Sequence, residues 1–382
     1  MVKEIKIQNY KSVQDLTLEL GRINVLVGAN GCGKSNILEA IAFGSAAAED
    51  KLGNEFLSAR GIRVTDPIAM RSGFTKDYQT ESIDISILIS DKRFIFKLIN
   101  ENKPFSGWGT LSKWETEKNN DINKEYSVEL SEKGTTQITG YDFEKIKQMM
   151  DELYFNSTLR FSNFNTFLIY APENTFLRRF EEESQIEPLG IRGEGLFKLL
   201  SVMSQETPEE FQEIIENLEL IDWFDGFEIP KDLVFTERRI RIKDRFLEEG
   251  LQYFDQRSSN EGFLFLMFYF ALFISKYTPK FFAIDNIDAS LNPKLCIELI
   301  KILTKLAKKH DKQVIFTTHN PAVLDGLNLN DDEVRLLVVN RNIHGHTKVK
   351  RVLKKQMPEG VEPLRLSEQF LRGYLGGLPK NF

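Results

Sequence analysis

The stretch "GANGCGKSN" at positions 28–36 combines glycines, a lysine and a serine at a spacing that suits phosphate chemistry. It satisfies the pattern G-x-x-x-x-G-K-[ST], in which backbone N–H groups turn toward phosphate oxygens, the lysine adds positive charge and the serine hydroxyl is a Mg²⁺ ligand. Because an apolar strand precedes it and an apolar helix pattern follows, a chance glycine-rich turn is the weaker interpretation. The residues expected to contact a nucleotide are Gly28, Asn30, Gly31, Gly33, Lys34, Ser35 and Asn36, with Ser35 also binding the metal ion.

Two more stretches place a polar side chain where an apolar strand ends. "FFAID" ends at Asp285 and "VIFTTH" ends at His319. The carboxyl ends of parallel strands meet at one sheet edge, where the phosphate loop also lies, so Asp285 is expected to hold Mg²⁺ and His319 to reach a γ-phosphate or an attacking water. Either residue alone would more simply be structural, but three strand ends at one edge favour the functional interpretation.

The stretch "RSSNEGF" at 257–263 comes just before a strongly apolar segment. A serine- and glycine-rich loop at a helix N-terminus is typical of phosphate binding. Such a loop also occurs as a helix cap, and the sequence alone slightly favours the cap over phosphate binding.

The elements that must position these residues come from both ends of the chain. "EIKIQNYKSVQDLTLELG" predicts a hairpin, "INVLV" a strand buried on both faces, and residues 34–47 a helix. Downstream, the patterns predict helices at 263–276 and 293–309, strands "KFFAID" and "QVIFTTH", and a closing pair, "EVRLLVVN" and "TKVKRVL". Together these elements predict one α/β domain built on a largely parallel sheet.

The middle of the chain interrupts this rhythm. Strand-like stretches ("SIDISILIS", "RFIFKLI") and helix-like segments at 142–154 and 207–218 indicate an inserted α+β lobe. The expected division is 1–53 for the first part of the domain, 54–240 for the lobe and 241–382 for the second part.

The composition of the chain limits the classes of protein to which it can belong. The 382 residues carry a formal net charge of −6, which gives no global electrostatic reason to expect nucleic-acid or membrane binding. The two cysteines, Cys32 and Cys296, suit a reducing compartment. The longest apolar run, "FLFLMFYFALFI", is shorter than the roughly 20 residues that cross a bilayer, so we expect a cytoplasmic protein with no membrane partner.

The opening "IKIQNYKSVQDLTLELGRINVLVGANGCGKSNILEAI", the late "AIDNIDASLNP" and the string "TTHNP" resemble the ABC-type P-loop ATPase heads shared by RecF, SMC and overcoming-lysogenization-defect (OLD) proteins. The resemblance covers about residues 1–50 and 250–382. It implies ATP and Mg²⁺ on Lys34 and Ser35, Asp285 as the Walker B aspartate, His319 as the switch histidine, and "SSNEG" as the signature loop. It further implies that two heads sandwich two ATP molecules, with Asn260 and Gly262 completing the partner's site.

Two departures from the family pattern bear on catalysis. Asn286 stands where the family has the glutamate that polarises water, and loss of a general base costs about 10²–10⁴ in rate. Asp288 is the nearby carboxylate that would substitute, unless it simply packs at a helix start, so the expected catalytic set is Asn286, Asp288 and His319. In the signature loop, Asn260 stands where a serine is usual, with Ser259 one residue earlier.

Two further patterns are weighed as surface features. Arg239, Arg241 and Lys243 alternate along one strand, which is usually a solvated face and less often a nucleic-acid contact. "HGH" at 344–346 lacks carboxylate or cysteine partners and predicts a hairpin turn rather than a metal site.

The favoured function is an ATP-dependent switch. ATP would join heads into a homodimer or higher homo-oligomer, and slow hydrolysis would control a separate effector protein. Stand-alone heads without the TOPRIM nuclease of OLD proteins resemble the ATPase half of bacterial anti-phage or toxin–antitoxin-like operons. Two alternatives stay open: a RecF-like DNA repair clamp, which needs a continuous basic surface, and a nucleotide-binding scaffold without significant hydrolysis, which Asn286 permits.

Overall fold

The structure, a computed structural model, describes residues 1–74, 81–103, 106–116, 126–128, 163–180, 188–230, 238–248, 253–353 and 364–378. The strands are β1 (Val2–Tyr10), β2 (Val13–Glu19), β3 (Ile23–Val27), β4 (Ile83–Ile89), β5 (Lys92–Ile99), β6 (Gly109–Thr116), β7 (Tyr126–Val128), β8 (Ile169–Tyr170), β9 (Phe224–Glu228), β10 (Arg241–Asp244), β11 (Phe281–Ile284), β12 (Gln313–Thr318), β13 (Val334–Arg341) and β14 (Thr347–Val352). The helices are α1 (Lys34–Ala48), α2 (Asn54–Ala59), α3 (Pro67–Met70), α4 (Asn174–Arg179), α5 (Leu196–Glu206), α6 (Pro208–Leu218), α7 (Glu261–Ile274), α8 (Pro293–Lys309), α9 (Ala322–Asp325) and α10 (Leu366–Leu371).

The central sheet joins the two ends of the chain. Its strand order is β14-β13-β3-β12-β11-β8, and every neighbouring pair is parallel except β13 and β14. All residues of β3, β11 and β12 are buried, which explains their unbroken apolar sequences, since a parallel strand is covered on both faces. This arrangement places the residues that follow β3, β11 and β12 at one sheet edge.

A second, antiparallel sheet has the order β2-β1-β4-β5-β6-β7. Its inward isoleucines from β1 and β4 share one apolar core with the inward side chains of α1. The alternating burial along β1 follows from having one face on this core and the other toward solvent.

Helix α7 lies in the interior of the other core. Every residue of 263–274 is buried, and α7 packs against α4, α5, α6 and α8. A helix that is apolar on all sides requires neighbours on all sides, and these helices together with the central sheet supply them. Among the described residues, no helix is long and apolar enough to span a membrane.

The predicted fold class, α/β with a mixed, largely parallel sheet flanked by helices, is confirmed. The hairpin β1–β2, the closing pair β13–β14 and the helices at 34, 208 and 293 are also as predicted. The buried helix is shifted, because it begins at Glu261 and ends at Ile274 rather than spanning 263–276. The helix predicted at 142–154 lies outside the described residues.

The division at residues 53 and 240 stays a prediction, and the sheets cross it. Strands β4, β5 and β6 extend the sheet that begins with β1, and β8 pairs with β11 in the central sheet. Alternation along a strand shows which face is buried but not which strand lies beside it, so the sequence offered no sign of these pairings.

Candidate nucleotide site

The phosphate loop connects the end of β3 to the start of α1. Gly33 precedes the helix at φ 109°, in the left-handed region that favours glycine, and no described side chain caps the first turn of α1. The N–H groups of that turn, at Lys34, Ser35 and Asn36, are therefore left for an anionic ligand. Asn30 and Gly31 form the exposed tip of the loop.

Lys34 is folded back onto its own loop. Its Nζ donates hydrogen bonds to the carbonyl oxygens of Gly28, at 2.8 Å, and Ala29, at 3.2 Å. Burial lowers the pKa of Lys34, and the nearby carboxylates of Asp285 and Asp288 oppose that shift. The lysine is thus held at the loop with both carboxylates close by.

Ser35 and Asp285 converge at the same edge. The Ser35 hydroxyl donates to Asp285 Oδ2 at 3.2 Å, and the other carboxylate oxygen accepts a hydrogen bond from Thr317. The Asp285 amide donates to the Tyr170 carbonyl at 2.8 Å, which fixes the backbone against β8. A hydroxyl and a carboxylate are the oxygen donors that Mg²⁺ prefers. No cluster of three or more His, Cys, Asp or Glu occurs among the described residues, so Mg²⁺ held here would take its remaining ligands from phosphate and water.

Asn286 and Asp288 differ in how they are held. Asn286 is exposed, with φ 55°, and its backbone N–H donates to the Thr317 hydroxyl at 2.9 Å. Asp288 Oδ1 accepts a hydrogen bond from the Thr318 hydroxyl at 2.6 Å. Asp288 does not cap helix α8, because Asn292 does so, accepting from the Leu295 amide at 2.9 Å. The carboxylate of Asp288 is therefore held toward the end of β12, one residue before His319.

His319 completes the group of strand-end residues. Its Nδ1 lies 3.5 Å from Nζ of Lys34. Desolvation and the positive charge of Lys34 lower the pKa of His319, while Asp288 and Asp285 oppose the shift. The neutral imidazole is therefore favoured at pH 7. The structure brings together Lys34, Ser35, Asp285, Asp288 and His319 from three strand ends.

A hydroxyl network that the sequence analysis did not identify supports the loop from behind. Thr347, at the start of β14, donates to the Cys32 carbonyl at 3.0 Å, and its hydroxyl lies 2.7 Å from the hydroxyl of Ser12. Asn36 Nδ2 donates to the same Ser12 oxygen at 2.7 Å. A Cβ atom at Gly33 would lie 2.1 Å from Thr347 Oγ1. Thr347 thus packs so closely against position 33 that only glycine fits there. No sequence motif marks Ser12 or Thr347.

A groove of about 1360 Å³ opens beside the loop. Ser12 and Asn36 line its end at the loop, and Phe74, Arg71 and Trp108 line it farther away. Asn36 directly follows Ser35, so the groove adjoins the phosphate loop on the side of Ser12.

The predicted signature residues lie elsewhere in the chain. Asn260 caps α7, its Oδ1 accepting from the Phe263 amide at 2.8 Å, so the cap interpretation is confirmed. With Gly262 it lines a separate pocket of about 520 Å³ beside Ser290 and Asn292. The Ser259 hydroxyl is buried and has no hydrogen-bond partner among the described residues. No described hydrogen bond or ion pair joins Asn260 to the phosphate loop of the same chain.

Comparison with known proteins places this geometry in a family. The family described as "AAA domain, putative AbiEii toxin, Type IV TA system" matches residues 23–325, most of the chain. The chain belongs to this AAA domain family. The AAA domain shares its fold with an SMC head solved bound to the C-winged helix domain of ScpA, at TM-score 0.57 and 14% identity over 92% of this chain and 98% of that one. This likeness confirms the predicted fold of a P-loop ABC-ATPase head.

Two curated relatives match shorter stretches of the AAA domain. The DNA double-strand break repair Rad50 ATPase of Sulfolobus acidocaldarius is 47% identical over 45 residues, 12% of this chain and 5% of that protein. An uncharacterised protein of Methanocaldococcus jannaschii is 29% identical over 127 residues, 31% of this chain and 56% of that protein. The chain thus covers less than two thirds of either relative.

Proposed function

We propose that this chain binds ATP with Mg²⁺ at the edge formed by β3, β11 and β12 and hydrolyses it slowly. The observation that supports this most directly is the convergence of the Ser35 hydroxyl on Asp285, at 3.2 Å, and of Lys34 on His319, at 3.5 Å. The uncapped first turn of α1 offers N–H groups at the same place. A lysine, a hydroxyl, a carboxylate and free amides at one edge suit a triphosphate and its metal ion.

Each residue has a task in this proposal. Lys34 binds the β/γ-phosphates, and Ser35 and Asp285 hold the metal ion. Mg²⁺ when bound neutralises phosphate charge. His319, neutral at pH 7, is placed to donate or accept one hydrogen bond at the γ-phosphate or the attacking water. Asn286 carries a side-chain amide that cannot take a proton, so Asp288, held by the Thr318 hydroxyl at 2.6 Å, is the carboxylate that replaces the family's glutamate. We expect turnover to be slow because this base lies two residues beyond the usual position.

We further propose that ATP joins two heads and that the dimer controls a separate effector in anti-phage or toxin–antitoxin-type defence. The family description, which names a toxin of a type IV toxin–antitoxin system, supports the biological setting. The position of Asn260 and Gly262, apart from the phosphate loop, supports their use by a second copy of the chain.

The DNA clamp is less well supported. The basic strand β10 pairs with β9, where Arg241 lies 3.3 Å from the Glu228 carboxylate and Lys243 lies 3.8 Å from that of Asp225. Acidic partners reduce the positive potential that phosphate binding needs. These residues fit the solvated-face interpretation.

The test is ATP uptake and turnover by wild type and Lys34→Ala, with light scattering in the same samples. We expect wild type to bind MgATP, to turn it over slowly and to double in mass with a non-hydrolysable analogue, and Lys34→Ala to do none of these. Binding without turnover would favour the scaffold, and salt-sensitive duplex binding lost in Arg241→Glu would favour the clamp. Absence of magnesium-dependent uptake would exclude the proposal.

A further inference from the structure

The last described segment of the chain, residues 364–378, packs against the phosphate loop. It contains α10 followed by a turn in which Gly373, Gly376 and Gly377 all have positive φ. The carbonyl oxygen of Gly377 accepts a hydrogen bond from the Ala29 amide at 2.9 Å. We call residues 364–378 the C-terminal segment.

That hydrogen bond holds the same peptide group that Lys34 binds. The Ala29 N–H and the Gly28 carbonyl belong to one planar peptide unit, and the Gly28 oxygen accepts from Lys34 Nζ at 2.8 Å. Gly377 therefore fixes the N–H end of a planar peptide group, and the carbonyl end of the same group binds the lysine. Rotation of this peptide would move the oxygen to which the ammonium is bound.

The fit at Gly377 leaves no space for a side chain. Its φ is 81°, and a Cβ atom there would lie 2.7 Å from a Val338 methyl and 3.3 Å from the Phe370 ring. Gly376 has the same φ of 81°, but a Cβ atom there would meet nothing within 4 Å. The two neighbouring glycines thus share the left-handed backbone conformation, and an added Cβ atom would make a close contact only at Gly377.

A second contact joins the C-terminal segment to the residues after His319. Ser367 donates to the Asp325 carboxylate twice, from its amide at 2.9 Å and from its hydroxyl at 2.7 Å. Asp325 ends α9, the short helix that begins three residues beyond His319. The segment is therefore bound both to the loop that carries Lys34 and to the helix that follows His319.

We infer that the C-terminal segment is a positioning element of the nucleotide site: Gly377 orients Lys34 through the Gly28–Ala29 peptide, and Ser367 holds the helix behind His319. The inference rests on the proposed ATP binding at that site. Coupling between two sites is reciprocal, so a nucleotide that fixes Lys34 also strengthens the docking of the segment.

The experiment compares the unchanged chain with Gly377→Ala and, as matched control, Gly376→Ala. Titration with MgATP is expected to show Gly377→Ala binding about 10- to 100-fold more weakly than wild type, because loss of one hydrogen bond between the lysine and a phosphate weakens binding by about that factor. Gly376→Ala bears the same backbone strain without the contact and is expected to bind as wild type does. Equal affinities of the two variants would overturn the inference.

Hydrogen–deuterium exchange gives a readout that a merely structural role would not move. MgATP is expected to slow exchange across 364–378 in wild type and Gly376→Ala. The slowing is expected to be smaller in Ser367→Ala, which keeps the inference testable if Gly377→Ala does not fold. Exchange in this segment that is indifferent to nucleotide, in wild type that binds it, would overturn the inference alone. Wild type that takes up no nucleotide would overturn the proposed function, and the inference with it.

Discussion

Nζ of Lys34 lies 3.5 Å from Nδ1 of His319. Two titratable nitrogens are therefore in contact, and they would repel each other if both were protonated. Desolvation lowers the pKa of each, and Lys34 lowers the pKa of His319 further. We expect the lysine to hold the positive charge at neutral pH and the imidazole to accept its hydrogen bond.

Replacing Lys34 by Met is expected to raise the pKa of His319. Removal of the neighbouring charge makes the imidazolium less costly, so the titration moves upward from below the ordinary value of about 6.5. A ¹H–¹⁵N NMR titration of the imidazoles measures it. His346 is the internal control, because its lowered pKa arises from desolvation, His344 and Lys348 and is expected to stay in place. An unmoved His319 would show that the two side chains do not interact in solution.

ATP turnover is expected to depend on Asp288 more than on Asn286. The Thr318 hydroxyl holds the Asp288 carboxylate at 2.6 Å, whereas the Asn286 side chain is an exposed amide that takes no proton. Asp288→Asn keeps the hydrogen bond and removes the base, so steady-state turnover should fall by about 10²-fold, with MgATP affinity little changed. Asn286→Ala should retain most of the activity. A larger loss of turnover in Asn286→Ala than in Asp288→Asn would contradict this prediction and show that turnover depends on water orientation by Asn286.

The hydroxyl of Thr347 is expected to stabilise the phosphate loop. Thr347 is fully buried and bonds both Ser12 and the Cys32 carbonyl. Thr347→Val keeps the shape but removes the hydroxyl from the Cys32 carbonyl and leaves Ser12 bonded to Asn36 alone. The free energy of unfolding should therefore fall by about 1–3 kcal/mol, and the KM for ATP should rise. Chemical denaturation and ATPase kinetics measure the two effects. Thr347→Ser, which retains the hydroxyl, is the control and should recover most of both.

The parts of the site that could be predicted are those that one short stretch of sequence encodes. The phosphate loop lies between a strand and a helix, and Asp285 and His319 end apolar strands, so their meeting follows from the parallel sheet. Thr347 and Gly377 could not be predicted, because each is an ordinary residue type that acts through a contact with a loop more than 300 residues earlier in the chain. Asp288 had two interpretations in the sequence, a catalytic carboxylate or a residue packed at a helix start. The Asn292 cap shows that Asp288 does not cap α8, and its catalytic role stays a prediction.

Asn260 offers a way to separate helix capping from a role in dimerisation. Asn260→Asp keeps a side-chain oxygen for the Phe263 amide, and Asp caps helices about as well as Asn, so thermal stability should stay near that of wild type. The new negative charge would face a partner's γ-phosphate in the proposed dimer and should abolish association with a non-hydrolysable ATP analogue, as measured by light scattering.

Asn260→Ser and Asn260→Ala are the comparison variants for Asn260→Asp. Serine caps the helix and retains a donor, so it should allow the dimer. Alanine loses the cap at a cost of about 1 kcal/mol in stability and also loses the donor, so it should weaken the dimer as well. Because Asp and Ala differ in capping yet both remove the donor, weakened association in both would trace it to contact with the nucleotide and not to the helix. Wild-type association by Asn260→Asp would contradict the assignment of this loop to the partner's site.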